Sequence, residues 1–268
     1  MKIITWNING YRAITGQNVS KRYDIATNEN KLFPYIYQQN PDIICLQEIK
    51  ANVEQILDSN LFPNNYKGEY FAAVSKKGYS GVATFCKNTP IKYEMGFKNE
   101  KFDREGRVLI SYYPNFVLLN IYFPNGTSGE DRVEYKLEFY DELFSYIKEI
   151  EKTQKNIIIC GDYNTSHHPI DLARPKENEN NSGFLEKERV KLDDLYKLNY
   201  VDIFRERNKN VVQYSWWSNR GRARENNVGW RLDYFFISKH LIPFVKDCYY
   251  DTNIKGSDHC PMILDINI

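Results

Sequence analysis

No stretch of this 268-residue chain stays apolar for the ~20 residues that a membrane-crossing helix needs. The start, Met1-Lys2-Ile3-Ile4-Thr5-Trp6, reads directly as a strand, with nothing resembling a secretory or transit leader ahead of it. An excess of one charge is missing too: 36 Lys and Arg stand against 35 Asp and Glu, a formal net charge of +1. That balance excludes a polybasic coat for DNA and a strongly acidic tail, yet a neutral total can hide a basic face. Cysteine is scarce and lacks pairing patterns. The five (Cys45, Cys86, Cys160, Cys248 and Cys260) are odd in number and none shares a C-x-x-C spacing. This argues against a zinc site or a disulfide framework and for buried thiols in a reducing compartment. Linkers, low-complexity runs and repeats are absent as well. A cytoplasmic protein of one domain, residues 1–268, is expected, and its 42% hydrophobic content suits a large core.

What the chain does have is many short β-branched and aromatic runs. They cover residues 2–6, 42–47, 81–85, 108–112, 116–122, 156–160, 232–237 and 261–266, with weaker ones at 70–74, 214–217 and 245–250. Turn residues such as Pro41-Asp42, Pro114-Asn115 and Pro124-Asn125-Gly126 bound most of them. Several are apolar without alternation, which suggests strands buried on both faces. Helices fall between the strands. Over 130–151, Val133, Leu137, Tyr140, Phe144 and Ile147 make one stripe at helical period, and acidic Glu130 and Asp131 suit the positive end of the helix dipole. A shorter stripe over 31–39 ends at Asn40-Pro41, and a third helix is expected over 187–198. Residues 174–183 read as a polar surface loop. The alternation predicts an α/β or α+β layered fold, two sheets with helices outside.

Polar residues interrupt these apolar strands in a telling way. Asn7 and Asn9 follow the first strand, and Glu48 ends the second. Asn120 and Tyr122 close the run that begins at Phe116. Asp162 and Asn164 follow Ile157-Ile158-Ile159-Cys160-Gly161, Asp233 lies inside an apolar strand, and Asp258-His259 precedes the last one. Neighbouring strand ends lie about 5 Å apart in a sheet, so such residues can converge. Taken singly, an Asp or Asn after a strand is more often a turn residue than a ligand, and Tyr122 a packed aromatic. Asp233 is the hardest to explain in that way, because a buried carboxylate must be paired or hold a cation. Together, the oxygen donors suit a hard cation, Mg²⁺ or Mn²⁺, and a histidine beside aspartates suits a general base in one tautomer. This is an inventory for metal-assisted phosphodiester hydrolysis.

The strings Trp6-Asn7-Ile8-Asn9-Gly10, Leu46-Gln47-Glu48-Ile49-Lys50, Glu105-Gly106-Arg107 and Asn120-Ile121-Tyr122-Phe123-Pro124-Asn125-Gly126 occur in order. They are followed by Gly161-Asp162-Tyr163-Asn164, Trp230-Arg231-Leu232-Asp233-Tyr234 and Ser257-Asp258-His259-Cys260-Pro261. Over nearly the whole chain this resembles the exonuclease III family of apurinic/apyrimidinic (AP) endonucleases, within the endonuclease/exonuclease/phosphatase superfamily. The resemblance implies a four-layered α/β sandwich of two packed mixed β-sheets flanked by helices. It implies Mg²⁺-dependent cleavage (Mn²⁺ as substitute) of the DNA backbone 5′ to an abasic site, leaving a 3′-hydroxyl, with 3′-phosphodiesterase and 3′→5′ exonuclease activity. Carried over by motif, Glu48 is the principal metal ligand, with Asn7, Asp162, Asn164, Asp258 and His259 as further metal-site residues. Asp162 positions or deprotonates water or serves the leaving oxygen. Asn164 stabilises the transition state, Tyr122 bonds a phosphate oxygen, and His259, oriented by Asp233, contacts the scissile phosphate. Both Asp162 and His259 stand as candidates for the base.

The partner implied is double-stranded DNA with abasic sites or blocked 3′ ends, bound by a monomer. Trp216, Trp230 and Leu232 occupy the positions of the family's small apolar pocket for a flipped-out sugar. Arg220, Arg222 and Arg224 lie in a Gly-containing loop and are expected to hold phosphates, with Arg220 entering the minor groove. Arg174 and His259 complete the expected DNA contacts, and Arg231 is expected on the same DNA-facing side. Departures from the pattern are a long segment at 14–30 and Ser128 at the place of a wedging arginine. The missing N-terminal extension points to a microbial enzyme acting at the nucleoid. A superfamily phosphodiesterase for inositol phosphates or lipids shares some motifs, but it usually lacks the Trp-Arg-Leu-Asp-Tyr and Asn-x-Tyr-x-Pro-Asn-Gly strings. A catalytically dead DNA-binding module requires a lost ligand, and every motif position here is filled.

Overall fold

The apolar runs without alternation become strands covered on both sides. The computed structural model describes residues 1–17, 29–56 and 63–268. One six-stranded sheet holds β1 (Lys2–Asn7), β2 (Ile43–Gln47), β3 (Lys67–Phe71), β4 (Val82–Cys86), β13 (Val245–Tyr250) and β14 (Met262–Ile266), in the order β13-β14-β1-β2-β4-β3. The other holds β5 (Lys92–Met95), β6 (Val108–Tyr112), β7 (Val117–Tyr122), β8 (Ile157–Asp162), β9 (Tyr200–Asp202) and β12 (Asp233–Ser238), in the order β5-β6-β7-β8-β12-β9. Each sheet is mixed in the same way: one central parallel pair, β1 with β2 and β7 with β8, and antiparallel pairing elsewhere. A two-stranded ladder, β10 (Trp216–Trp217) with β11 (Gly229–Trp230), lies outside both.

Side chains that alternate along one strand feed different cores. On β8, Ile158 and Cys160 face the other sheet, where they meet Ile3, Ile43 and Cys45. Ile157 and Ile159 instead meet Phe139, Tyr140, Leu143, Leu192 and Leu195 from the helices Glu130–Ile150 and Glu186–Lys197. On the far side, Ile4, Ile44 and Leu46 pack against Leu32, Tyr35 and Ile36 of the helix Leu32–Gln39. Three apolar seams between four layers make the expected sandwich. The five cysteines are buried and free.

Several local expectations need correction. The weak strand placed at 70–74 lies at Lys67–Phe71. Lys67 is exposed and the rest of the strand only half-buried, which blurs the hydrophobic signal. The short strands Lys92–Met95 and Tyr200–Asp202 carry no such signal and were not anticipated. The stripe on Glu130–Ile150 includes a buried Lys136, while Leu137 is only half-buried. Most of the long segment at 14–30 lies outside the described residues. No helix among the described residues is long and apolar enough to cross a membrane.

Candidate active site

The two parallel pairs end at the same rim of the sandwich. Asn7 and Gln47 are paired at the ends of β1 and β2. Tyr122 and Asp162 are paired at the ends of β7 and β8, and Asp233 opens β12 directly across from Asp162. The backbone is forced here. Asn9, Glu48, Lys50 and Asn164 adopt left-handed φ values of 48–52°, a conformation that non-glycine residues keep only when surrounding contacts over-determine it. Gly161, with φ 138°, permits the last step of β8, since a Cβ there would lie 1.8 Å from Ile121 O.

Three side chains meet on the floor. Glu48, Asp162 and His259 each offer a ligand atom, and these atoms all lie within 4.8 Å of one another. Asn7 ties the two carboxylates together, its Nδ2 donating to Glu48 Oε1 at 2.9 Å and to Asp162 Oδ2 at 2.8 Å. The other Asp162 oxygen accepts from Asn164 N at 2.8 Å. His259 Nδ1 lies 2.8 Å from Asp233 Oδ2, which also accepts from Ser215 Oγ at 2.6 Å. That leaves Nε2 facing Asp162 Oδ2 at 3.8 Å. Trp6 Nε1 donates to the His259 carbonyl at 3.1 Å and fixes its backbone.

Charge is tuned by these neighbours. Burial alone would raise the Glu48 carboxyl, but the Lys50 ammonium at 2.6 Å and the Asn7 amide hold it below its usual range. Burial pushes Asp162 up to about 7, with the His259 charge opposing and Asp233 reinforcing the rise. For His259, burial favours the neutral ring, yet Asp233 and Asp162 outweigh it and lift the group to about 10. The ring is therefore held as imidazolium at neutral pH, beside a carboxyl that exchanges its proton there. Burial raises the Tyr122 phenol well above its usual value, as does Glu48, so it stays protonated as a donor. Arg107, fully buried, lies 4.5 Å over the Tyr122 ring and donates to the Tyr122 carbonyl at 3.0 Å.

Above the floor opens a cleft of ≈ 860 Å³. One side is apolar and aromatic: Trp216, Trp230 and Leu232. Trp216 pairs with Trp230 in the small ladder and bridges to His259, so the aromatic wall is built onto the catalytic floor. The lining also includes the amides of Asn125, Asn164 and Asn181 and the hydroxyl of Ser182.

The sequence pattern described as "Endonuclease/Exonuclease/phosphatase family" matches residues 4–259. The chain belongs to this family. An exodeoxyribonuclease of Bacillus subtilis (strain 168) is 39% identical over 269 residues, covering 100% of both chains. A DNA-(apurinic or apyrimidinic site) endonuclease of Dictyostelium discoideum is 36% identical over 273 residues, covering 100% of this chain and 71% of its own. The crystal structure of an AP endonuclease from Leishmania major superposes with a TM-score of 0.86 at 30% identity, covering 100% of this chain and 87% of that one. The resemblance read from the motifs to the exonuclease III branch of the family thus extends over the full length and the full fold.

Against that family pattern, the residues expected at the site divide into three groups. Glu48, Asp162 and His259 form the floor, with Asn7, Tyr122, Asn164 and Asp233 around them. Asn7 and Asn164 turn their amides to protein atoms: Asn7 Oδ1 accepts from Asn9 N at 3.0 Å, and Asn164 Nδ2 donates to Phe123 O at 2.9 Å. Asp258 stands apart from the three-residue cluster, held by Trp216 Nε1 at 3.1 Å and Asn9 Nδ2 at 2.9 Å. Arg220 and Arg222 are exposed on the loop, and Arg174 is exposed with Glu177 3.6 Å away.

Two arginines are engaged by protein atoms. Arg224 donates to Ser257 O and Thr252 O, both at 3.0 Å, and to Ile254 O at 2.5 Å. It lies 4.7 Å over Trp217. Three of its N–H groups thus brace the loop that precedes His259. Arg231 corrects expectation: it is fully buried, donates to Asp171 from Nε at 2.8 Å and from NH2 at 3.0 Å, and is ion-paired with Asp202 across 2.7 Å, so it cannot face DNA. Asn120 also leaves the site: it lies between the sheets, where it accepts from Gln47 Nε2 at 2.7 Å. Lys50, Arg107 and Ser215 were missed by sequence reasoning. Lys50 and Arg107 lie inside quoted motifs, but only the folded chain shows what they touch.

Proposed function

We propose that this chain is a DNA-repair AP endonuclease that hydrolyses the phosphodiester 5′ to an abasic site and leaves a 3′-hydroxyl. In this reading it also clears blocked 3′ ends and digests DNA 3′→5′, acting as one catalytic domain and as a monomer. The observation that carries the proposal is the seating of the Glu48–Asp162–His259 floor directly beneath the Trp216–Trp230–Leu232 wall. Phosphodiester chemistry then lies beside an aromatic, apolar surface on which an extrahelical sugar can rest.

The donor set fits a hard divalent cation, Mg²⁺ or Mn²⁺: the Glu48 and Asp162 carboxylates, with Asp258 nearby and with Lys50 and the His259 imidazolium as compensating charge. Glu48, kept ionised by Lys50, would be its principal holder, with Asp162 beside it. When bound, the cation supplies Lewis-acid stabilisation of charge on the phosphoryl oxygens. The remaining work falls to the chain. Asp233 holds His259 in one orientation, so its Nε2–H presents positive charge to the scissile phosphate. Asp162 is the proton acceptor for water: its carboxylate is aligned by Asn7 and by the Asn164 amide and is buried enough to take a proton near neutral pH. The Tyr122 phenol donates to a phosphoryl oxygen, its ring steadied by Arg107. Asn164 spends one amide hydrogen on Phe123 O and keeps the other for the phosphate. Trp216, Trp230 and Leu232 exclude water around the extrahelical sugar.

The test is a duplex oligonucleotide carrying one tetrahydrofuran abasic analogue. With Mg²⁺ we expect a single nick 5′ to the lesion with a 3′-hydroxyl, and no nick after chelation. An intact duplex under enzyme excess with Mg²⁺ sinks the proposal.

A further inference from the structure

A charged pair lies sealed beneath the cleft, and the chemistry above does not use it. Lys136 on the helix Glu130–Ile150 and Glu188 on the helix Glu186–Lys197 are both 0% exposed, with Nζ 2.7 Å from Oε1. Burying two charges is costly, and an apolar pair of like volume commonly serves stability as well or better. The pair must therefore be judged by what its remaining hydrogen bonds hold.

Those bonds reach both ends of the cleft's polar wall. Lys136 Nζ also donates to the Asn164 carbonyl at 2.7 Å. Glu188 Oε2 accepts from the backbone N–H of Gly183 at 2.6 Å and of Leu185 at 3.2 Å. Its Oε1 further accepts from Ser182 Oγ at 3.0 Å. Asn164, Ser182, Gly183 and Leu185 all line the cleft. Gly183 is also the point where this wall meets the aromatic one: a Cβ there would come within 3.2 Å of the Trp230 ring and 3.3 Å of Asn164 O. Directional bonds to a carbonyl and to two N–H groups fix position in a way that apolar packing cannot. Lysine is suited to one end because its ammonium can donate to two acceptors at once, and a carboxylate to the other because it only accepts.

We propose that the Lys136–Glu188 pair positions the reaction. It sets Asn164 at its distance from the phosphate, and it sets the wall at 182–185 at its distance from Trp230. This inference rests on the proposed abasic-site incision. Lys136 and Glu188 are positioning residues, since neither lines the cleft.

The experiment compares the wild type with the apolar double variant Lys136→Met/Glu188→Leu in two measurements. The first is single-turnover incision of the abasic duplex together with DNA affinity. We expect the rate to fall at least tenfold while Kd moves less than threefold, a split that a purely structural pair would not produce. A folded double variant that incises at the wild-type rate overturns the inference. The second is amide hydrogen exchange, which needs no substrate. Exchange at Gly183 and Leu185 should rise at least tenfold while the β8 amides stay protected. Unchanged exchange at those two amides also overturns it. Should the double variant fail to fold, Glu188→Gln decides, because it keeps the volume but turns an amide NH₂ toward the Gly183 and Leu185 N–H groups. The same two outcomes are expected, and wild-type behaviour in both measurements overturns the inference. If the wild type itself leaves the duplex intact, the functional proposal fails, and the exchange measurement alone judges whether the pair holds the wall.

Discussion

Asp162 is asked to do two things that conflict. It must be ionised beside a cation, and it must be buried against Asp233 and beneath the cleft. Burial raises its carboxyl from 3.8 to about 7. A carboxyl whose folded value lies above its unfolded one weakens the fold as pH rises through that interval, because the unfolded chain ionises more readily. Asp162→Asn should therefore cut kcat by roughly 10²–10⁴ with DNA affinity nearly intact. In metal-free buffer its melting temperature should exceed the wild-type value at pH 8 and approach it at pH 4. An unchanged kcat removes Asp162 from the mechanism, and identical melting at pH 8 removes the burial argument.

At the scale of elements, the loop at 218–227 separates arginines by what the fold leaves them free to do. Arg220 and Arg222 are exposed, whereas Arg224 is occupied with carbonyls of the 252–257 segment. Each phosphate contact contributes about 0.9 to the slope of log K against log salt. Replacing Arg220 and Arg222 by Ala should lower that slope by about 2, and an unaltered slope would place the loop away from DNA. The helix Glu130–Ile150 carries a similar lesson. Its apolar stripe at 133, 140, 144 and 147 was legible because burial against one sheet demands helical spacing. Nothing local marks Lys136 on the same face as buried, because its partner Glu188 lies 52 residues away.

At the scale of the whole molecule, a second buried network joins distant segments beside β9, the edge strand of the second sheet. Asp171, at the end of the turn Pro169–Asp171, meets Arg231, and Arg231 meets Asp202 of β9. Asp171 also accepts from Arg205 at 2.5 Å. Burial would raise the Asp171 carboxyl, but the two arginines hold it far below its ordinary 3.8. Its contribution is therefore complete above pH about 4 and is lost as pH falls through its folded value. Arg231→Met should cost about 3–5 kcal/mol and lower the melting temperature by roughly 10 °C. Asp171→Asn should flatten the loss of melting temperature below pH 4. Parallel acid limbs for that variant and the wild type would show that the network does not govern acid stability.

The chain by itself determined most of its strands and its three main helices, because each apolar residue must be covered and the spacing of coverage is local. It also determined which polar residues were anomalous, since Asp233 and Asp162 interrupt runs that burial demands be apolar. Only the tertiary structure decided which of these anomalies share a site. Asn120 and Arg231 sit in the same kinds of motif as Tyr122 and Asp233, yet they are turned inward and satisfied there. For Asn120 strand register made that choice, since it lies two residues deeper on β7 than Tyr122, whereas Arg231, just ahead of β12, is drawn in by Asp171 and Asp202. A polar side chain at the rim of the sheets is open to a ligand, and one placed a residue or two deeper must find its partner inside the protein.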